Sequence, residues 1–454
     1  MKFTFKNLGI FDKETTIELG DLTIICGDNN TGKTYVSYAI FGFLDTWIKN
    51  ISFDIPENEL KKLYNNGSIQ LDLNDFIQTI DKTLTDLSKD YIKDLPEIFS
   101  SHEDFFKTTQ FEISYSSNDY KSSYFKSNLA TSNNKDVLVL KKEANSNILQ
   151  VTLLIEDGNV SPPPLDIVKH FIGVNIGRAL LGRYFSNPFI ISSERAGIYL
   201  FHKELDINKN ILVERLQNSD KKFETTDYSD MFEEATSRYA RPIKKGIGFV
   251  RDIVDVHSKN KSQLIKAYPE FLKMMQNIIG GEYKVENSQI LFIFRKGRRK
   301  ERIPVYMASS SVKSMLELYF YIISMAKKGD ILMIDEPELN LHPANQRKLA
   351  RLFARLVKVG IKVFITTHSD YLIKELNNLI MLSDDFEYKD EVLKKLKYST
   401  DDNLPSSHIK VYIAENKTLT EAPITEYGIQ VKSFDKEIDA INMAFEDITL
   451  AIGI

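Results

Sequence analysis

The stretch that decides the fold is Gly27–Thr34, GDNNTGKT, which stands between an apolar run, Leu22–Cys26, and a segment with apolar residues at helical spacing. It matches the pattern G-x-x-x-x-G-K-[ST], and a strand before it with a helix after it is the context that the pattern requires. Its two glycines allow sharp backbone turns, so that the loop N–H groups converge on an anion. The sequence therefore predicts a phosphate-binding loop.

The loop chemistry is that of ATP with Mg²⁺. Lys33 would reach the β- and γ-phosphates, the Thr34 hydroxyl would be a Mg²⁺ ligand, and the helix N-terminus would add a partial positive charge. A chance glycine-rich turn is the alternative, which the strand, the helix and the Lys-Thr pair together disfavour. The predicted nucleotide contacts of this loop are Gly27, Asn29, Asn30, Thr31, Gly32, Lys33 and Thr34.

A second motif, ILMIDEPELNLHP, is an apolar strand that ends in Asp335 and Glu336. The carboxyl edge of a parallel sheet is where ligands bind, so both carboxylates should meet the phosphate loop there. Asp335 would hold Mg²⁺ through its water shell, and Glu336 would orient or deprotonate the water that attacks the γ-phosphate. A solvated acidic turn is the alternative.

His368 follows the next buried strand, in KVFITTHSDYLI, and should project to the same edge. We predict that it senses the γ-phosphate, with a satisfied core histidine as the alternative. The catalytic residues predicted from the sequence are thus Glu336 and His368, and the metal ligands are Thr34 and Asp335.

Strand and helix patterns alternate around these motifs and predict an α/β fold with a parallel sheet. Residues 2–8 and 15–20 read as strands of a separate N-terminal β subdomain. The predicted division is a split head with inserted, mainly helical lobes: 1–45, 186–202 and 281–385 form the head, 46–185 and 203–280 the lobes, and 386–454 a C-terminal α/β extension.

Bulk composition excludes several classes of protein. The chain has 454 residues, a net charge of −4 and 43% hydrophobic residues, enough for a large core and too balanced for a nucleic-acid-coating protein. Its single cysteine, Cys26, cannot support a disulfide framework and is expected in the core. No signal peptide or membrane span is visible, so we expect a cytoplasmic protein.

Taken together, these motifs resemble the ABC-type ATPase heads of the SMC/Rad50/RecF kind. DEPELNLHPANQ, MASSSVKSML and FIISSERAGI are most similar to the OLD-like branch, which includes ATPase subunits of phage-defence systems such as Septu and PARIS. The resemblance covers about half of the chain. It implies an ABC-type ATPase head with a P-loop core sheet, ATP and Mg²⁺ as cofactors, and a head-to-tail dimer or higher homo-oligomer that sandwiches ATP.

In such a sandwich the signature segment of one subunit meets the phosphate loop of the other. Here that segment is Ser309, Ser310 and Ser311, without the usual glycines, and a plain helix N-cap is the alternative. The resemblance also places Asn340–His342 at the dimer interface. For Arg195 it implies a contact with phosphate or with the other subunit, and a structural ion pair is the alternative. The usual magnesium-binding glutamine is unassigned, Gln110 being one candidate.

The resemblance also implies a partner. Full OLD proteins continue into a Toprim nuclease domain, whereas only VYIAEN with Glu415 follows here and no Asp-x-Asp motif comes after it. We therefore expect an ATPase without nuclease activity whose nucleotide state controls a separate effector, such as a nuclease, in antiviral defence. The basic turn 295–300, RKGRRK, could bind nucleic acid, but a solvated hairpin tip is the preferred interpretation.

Three other functions stay open. The altered signature suits an ATP-bound scaffold with little turnover. A RecF- or Rad50-like DNA-repair ATPase would fit the head, although no heptad-bearing arm is present. The nucleotide-binding subunit of a transporter is disfavoured by the two insertions and the serine-only signature.

Overall fold

The computed structural model describes residues 1–115, 122–130, 135–154, 163–204, 239–430 and 432–452, without the side chains of 432–439. Its centre is a six-stranded sheet in the order β16-β15-β3-β14-β13-β9. The strands are β3 Leu22–Cys26, β9 Asn187–Ile191, β13 Asp330–Asp335, β14 Lys362–Thr367, β15 Ile409–Glu415 and β16 Thr418–Glu421. All pairs are parallel except β15 with β16. The predicted α/β class with a parallel core sheet is confirmed.

Apolar residues cover both faces of this sheet. In β3, Leu22 and Ile24 enter one buried cluster whereas Ile25 enters the other. The neighbouring β13 divides in the same way, with Leu332 on the first side and Met333 on the second. Strands buried on both faces read as continuous apolar runs, which explains the LTIIC and ILMI patterns.

The antiparallel N-terminal sheet predicted from the sequence is also present. It has the order β2-β1-β5, with strands β1 Lys2–Lys6, β2 Thr15–Glu18 and β5 Gln110–Ser114. Phe3 and Phe5 point into the cluster shared with the long helix Lys33–Asn50. The segment 46–185 therefore contributes one strand, β5, to the N-terminal sheet.

The rest of 46–185 combines helices with a four-stranded antiparallel sheet in the order β4-β8-β7-β6, which the sequence reading did not assign. These strands are β4 Ser68–Asp72, β6 Phe125–Ala130, β7 Asp136–Lys142 and β8 Ile148–Leu153. The helices are Glu57–Asn66, Leu73–Ile77, Ile80–Phe99 and Leu165–Leu181, with a 3-10 turn at Glu103–Phe106. The polar stretch 114–136 is typical of a loop or of hairpin ends, and SPPPLD of a break between elements. Residues 116–121, 131–134 and 155–162 lie outside the described part of the chain, whereas 125–130 form the strand β6 and not a loop.

The pattern of residues 283–308 indicates one hairpin, with two alternating strands around the basic turn, whereas the structure has three strands in this region. They are β10 Gly281–Glu286, β11 Gln289–Lys296 and β12 Arg299–Pro304. Asn287 and Ser288, both with positive φ, make a tight turn that the sequence reading absorbed into one strand. The basic turn joins β11 to β12, as predicted, and its cationic side chains are exposed.

Helices pack on the sheet and complete the head. Of the predicted helical block 203–280, residues 205–238 lie outside the described part of the chain. A helix spans 195–204. The others are Arg241–Asp252, a π-helical turn at Ile253–His257, Gln263–Ala267, Glu270–Ile279, Ser310–Ser314, Leu316–Ser324, Pro343–Lys358, Asp370–Met381 and Lys389–Leu396, with 3-10 turns at Val305–Met307 and Ser406–His408.

Two details near the end of the chain differ from the prediction. The alternation in GIQVKSF indicates one short strand, but among its described residues only Gly428–Ile429, β18, is extended, and it pairs with β17, Ile424–Thr425. The final helix, Lys432–Ile452, begins within the same stretch. Across the described residues, no helix is both long and apolar enough to cross a lipid bilayer.

Candidate active site

The loop Gly27–Thr34 leaves the carboxyl end of β3 and runs into the helix Lys33–Asn50. Its glycines are required by the backbone. Gly27 has φ +152°, and a Cβ there would lie 2.6 Å from the carbonyl oxygen of Ala414. Gly32 has φ +86°, and a Cβ would lie 2.7 Å from Phe11. A side chain at either position would therefore displace the loop from the neighbouring strand or from the N-terminal subdomain.

Lys33 is folded under the loop. Its Nζ donates hydrogen bonds to the carbonyl oxygens of Gly27 at 2.8 Å and Asp28 at 2.7 Å, and the residue is only 5% exposed. An ammonium group has three hydrogens. One therefore remains for an anion at the loop, while the two carbonyl contacts hold the charge in place.

Thr34 joins the loop to the Asp-Glu strand. Its Oγ1 donates to Oδ2 of Asp335 at 2.9 Å, although the two residues are 301 positions apart. The other oxygen of Asp335, Oδ1, accepts from Thr366 Oγ1 at the end of β14. Burial raises the pKa of Asp335, and these two hydroxyl contacts oppose the rise. A hydroxyl beside one buried carboxylate is a hard oxygen donor set that fits Mg²⁺ shared with phosphate oxygens.

Glu336 and His368 face each other at the same edge. His368 Nδ1 lies 3.7 Å from Glu336 Oε1, an ion-pair distance too long for a direct hydrogen bond. The interaction lowers the pKa of Glu336 and raises that of His368. The charge of Lys33 also acts on both groups, which places the loop lysine in the same electrostatic site.

Glu338 is a site residue that the sequence reading missed. It is 5% exposed, and its Oε1 accepts from Thr367 Oγ1 at 2.7 Å and from the backbone N–H of His368 at 2.9 Å. His368 Nδ1 also lies 3.5 Å from the same oxygen. Glu338 thus fixes the strand end that carries His368. A second acid two residues after Glu336 in DEPE was the sequence signal for it.

Arg195 is 2% exposed, and its hydrogen bonds to other described residues all end on backbone carbonyls. Its Nη1 binds the carbonyl oxygen of Asp335 at 2.9 Å, and its Nη2 binds that of Glu336 at 2.8 Å. Its Nε donates to the carbonyl oxygen of Ser314, the last residue of the short helix that the signature serines begin, at 3.1 Å. In the described part of this chain the guanidinium clamps peptide carbonyls, and the alternatives from the sequence, a phosphate or inter-subunit contact and a structural ion pair, stay predictions. The clamp connects the serine segment to the Asp-Glu strand.

The three serines begin a short helix. Ser309 Oγ accepts from the N–H of Val312 at 3.4 Å and shares a hydrogen bond with Ser311 Oγ at 2.9 Å. The helix N-cap, which was the alternative to a signature segment, is therefore present. Ser309 and Ser310 are exposed, and no described hydrogen bond connects the serines to the loop of the same chain.

The remaining predicted residues lie at or near this edge of the sheet. Asn29 and Asn30 are exposed on the loop, and Thr31 Oγ1 donates to the carbonyl oxygen of Asp28 at 2.8 Å. His342 caps the helix Pro343–Lys358 through its ring nitrogen, and Asn340 is exposed beside it. Gln110 instead begins β5 in the N-terminal sheet, opposite Lys6.

Three solved structures of SMC heads are similar to the chain at low identity. The SMC head domain from Thermotoga maritima has 13% identity and a TM-score of 0.30, covering 93% of this chain and 98% of that one. The Smc head of Pyrococcus furiosus bound to the C-terminal domain of ScpA has 12% identity and a TM-score of 0.31, covering 97% and 98%. The SmcHead bound to the C-winged helix domain of ScpA has 12% identity and a TM-score of 0.32, covering 82% and 91%.

No protein of curated function matches the chain in sequence. A family model described as an AAA ATPase domain does match, over residues 1–373, a span that contains the phosphate loop, the Asp-Glu strand and His368. The chain therefore belongs to the AAA ATPase domain family.

Proposed function

We propose that the chain binds Mg²⁺-ATP at Gly27–Thr34 and hydrolyses it with Glu336 and His368. The observation that carries the proposal is the 2.9 Å hydrogen bond between Thr34 Oγ1 and Asp335 Oδ2. It brings a hydroxyl at the base of the phosphate loop against a buried carboxylate from a distant strand. Membership of the ATPase family supports the reaction class, and this contact supports a site for the terminal phosphate and its metal beside Thr34 and Asp335.

The binding half of the site consists of the loop, Thr34 and Asp335. The loop N–H groups and Lys33 neutralise phosphate oxygens. Thr34 and Asp335 would hold Mg²⁺, which supplies electrostatic stabilisation of the phosphate charge. Thr366 orients the Asp335 carboxylate through its hydroxyl.

The hydrolytic half consists of Glu336, His368 and Glu338. Glu336 is a glutamate whose pKa the neighbouring His368 lowers further from its ordinary value of 4.5, so it is ionised at neutral pH, as a group that orients water and accepts its proton must be. His368 is held by its backbone N–H to Glu338 and by its ring to Glu336, so that it can respond to a neighbouring phosphate.

We further propose that two copies sandwich ATP head to tail, with Ser309–Ser311 of one copy at the phosphate loop of the other. The exposure of Ser309 and Ser310 supports this, as does the Arg195 clamp that ties their segment to the Asp-Glu strand. The OLD-like motifs support a further step, in which the nucleotide state controls a separate effector protein, such as a nuclease, in antiviral defence. Co-purification from the native host followed by native mass measurement tests that step.

Phosphate release tests the hydrolysis proposal. Glu336→Gln should keep ATP binding and reduce turnover roughly 100-fold or more, because the general base is lost. Lys33→Ala should weaken ATP binding at least about tenfold, because charge-assisted hydrogen bonds are lost. Glu391→Gln, at an exposed position of the helix Lys389–Leu396, is the matched control and should change neither.

The same experiment separates an enzyme from a scaffold. If the unmodified protein binds ATP but neither it nor Glu336→Gln releases phosphate, the chain is a scaffold and the nucleotide has a structural role. Undiminished ATP binding by Lys33→Ala would contradict the site itself.

A further inference from the structure

The final helix, Lys432–Ile452, carries an uncovered apolar surface. Its large apolar side chains between 440 and 452 are 60–75% exposed: Ile441, Met443, Phe445, Ile448, Leu450 and Ile452. Single exposed apolar residues are ordinary, but six within one stretch of helix mark a contact surface. An isolated helix of this length is also only marginally stable in water, so that packing must supply the rest.

The apolar positions form a continuous stripe. Ile441, Phe445, Ile448 and Ile452 follow one another at intervals of four, three and four residues, the spacing that places them along one side of a helix. The helix is also acidic. Five acidic residues against two lysines lie within 432–452, and Glu446 and Asp447 are exposed.

An apolar groove with a basic rim lies elsewhere on the chain. It has a volume of about 660 Å³ and is bounded by the helices Pro343–Lys358, Asp370–Met381 and Lys389–Leu396. Its floor includes Met381, Phe386 and Leu396, whose exposed fractions are 39%, 41% and 53%. Apolar side chains that are this exposed at the floor of a groove can pack against the apolar face of a helix.

Tyr398 in the wall of the groove is held by two side-chain contacts, and the rim of the groove is cationic. Arg351 stacks over the Tyr398 ring at 4.0 Å, and the Tyr398 hydroxyl accepts from Asn378 at 3.1 Å. Lys395 and Lys397 line the rim, and within the described part of the chain neither has an ion-pair partner. The groove thus complements the final helix in both polarity and charge.

The root of the final helix is fixed beside the groove. The N–H of Ile429 donates to Asn377 Oδ1 at 2.8 Å, and the N–H of Gln430 donates to the Pro423 carbonyl at 3.1 Å. Asn377 neighbours Asn378, a groove residue. Because only one residue separates Gln430 from Lys432, where the helix begins, there is little chain with which to reverse direction into the groove of the same copy.

We propose that two copies of this chain exchange their final helices, each helix placing its apolar stripe in the basic-rimmed groove of the other copy. The contact is isologous, so one exchange creates two identical interfaces. It needs no nucleotide and is therefore separate from the ATP sandwich.

Mass measurement across a concentration series, without nucleotide, tests the exchange. The intact protein should dimerise, and a chain that stops at Gln430 should be monomeric. Lys33→Ala should dimerise like the intact protein, which distinguishes this contact from the nucleotide-dependent one. The proposal is overturned if the intact protein is monomeric or if the shortened chain still dimerises.

Charge reversal tests the groove. Lys395→Glu with Lys397→Glu should raise the dimer dissociation constant roughly tenfold, because two attractive contacts at each interface become repulsive. Glu446→Lys with Asp447→Lys should do the same, and all four changes together should restore most of the affinity. Lys394→Glu, on the same helix but outside the groove, is the control. If dimerisation requires the final helix but neither charge reversal changes the dissociation constant, the helices pair with each other. That result would overturn the groove as the docking site.

Discussion

Glu336 has a left-handed backbone, with φ 49°, although it carries a side chain. Such a conformation costs of order 1–3 kcal/mol in a non-glycine residue and persists only where its surroundings impose it. Here the Glu336 N–H donates to the Thr366 carbonyl at 3.1 Å, and the Glu336 carbonyl accepts from Arg195 at 2.8 Å. These contacts turn its side chain toward His368 at the strand end.

The pairing of Glu336 with His368 predicts a measurable titration. Glu336→Gln removes the interaction that raises the pKa of His368, so the His368 pKa should fall toward or below its ordinary value of 6.5. Nuclear magnetic resonance of the ring across a pH series measures it, with Glu391→Gln as the control. An unchanged His368 pKa would show that Glu336 does not act on it.

The pair also sets a pH window for stability. The raised pKa of His368 gives stability that is complete below pH 6.5 and is lost as the pH rises through the folded value. The lowered pKa of Glu336 gives stability that is present above pH 4.5 and is lost as the pH falls through its folded value. Both contributions to stability are present between pH 4.5 and pH 6.5. They are small, because the His368 side chain is 40% exposed.

At the level of single residues, the sequence predicted the residues of the candidate site but not the contacts that hold them in position. Lys33, Thr34, Asp335 and Glu336 belong to spaced motifs, and the structure brings them to one edge. Arg195 and Glu338 act through partners that are distant in the chain or on another strand end, so no local pattern predicts their contacts.

At the level of elements, Arg195 connects the serine segment to the end of β13. A lysine keeps the charge but has one nitrogen, which cannot reproduce the geometry of a planar guanidinium bound to several carbonyls. Arg195→Lys should therefore destabilise the fold by about 2–4 kcal/mol, because buried carbonyls lose their donors. It should also reduce phosphate release more than ATP binding, because the strand end carrying Glu336 loosens while the phosphate loop stays in place.

Denaturant unfolding and phosphate release measure these two effects. Arg178→Lys, on the helix Leu165–Leu181 and away from the site, serves as the control. Unaltered stability and turnover in Arg195→Lys would show that the clamp is dispensable.

The elements that periodicity predicted well are those buried on a sheet or helix face. β3, β13, β14 and the helix Pro343–Lys358 agree with their apolar patterns within a residue or two. The apolar pattern over 312–327 predicts one helix, whereas the structure has two, Ser310–Ser314 and Leu316–Ser324, with a break at Met315. Apolar spacing continues across this break, so the pattern alone could not show it.

At the level of the whole molecule, the ATP sandwich predicts a steric effect. Ser310 is exposed at the start of its helix, so Ser310→Trp should leave the fold intact. In a Glu336→Gln background it should abolish ATP-dependent dimerisation, because the indole would occupy the place of the partner's phosphate loop. Mass measurement with and without ATP, on chains that stop at Gln430, isolates this contact.

Ser406→Trp, at another exposed serine, is the control for that experiment. ATP-driven dimers that tolerate Ser310→Trp would place the signature segment outside the interface.

The position of β3 in the central sheet has a consequence for biosynthesis. Its neighbours are β14 and β15, whose first residues follow its last by more than 330 positions. At roughly 5–20 residues per second, a ribosome would make this fully buried strand on the order of 20–70 s before either neighbour emerges. The nascent chain must keep LTIIC covered throughout that interval, so chaperone supply during translation should limit the yield of folded protein.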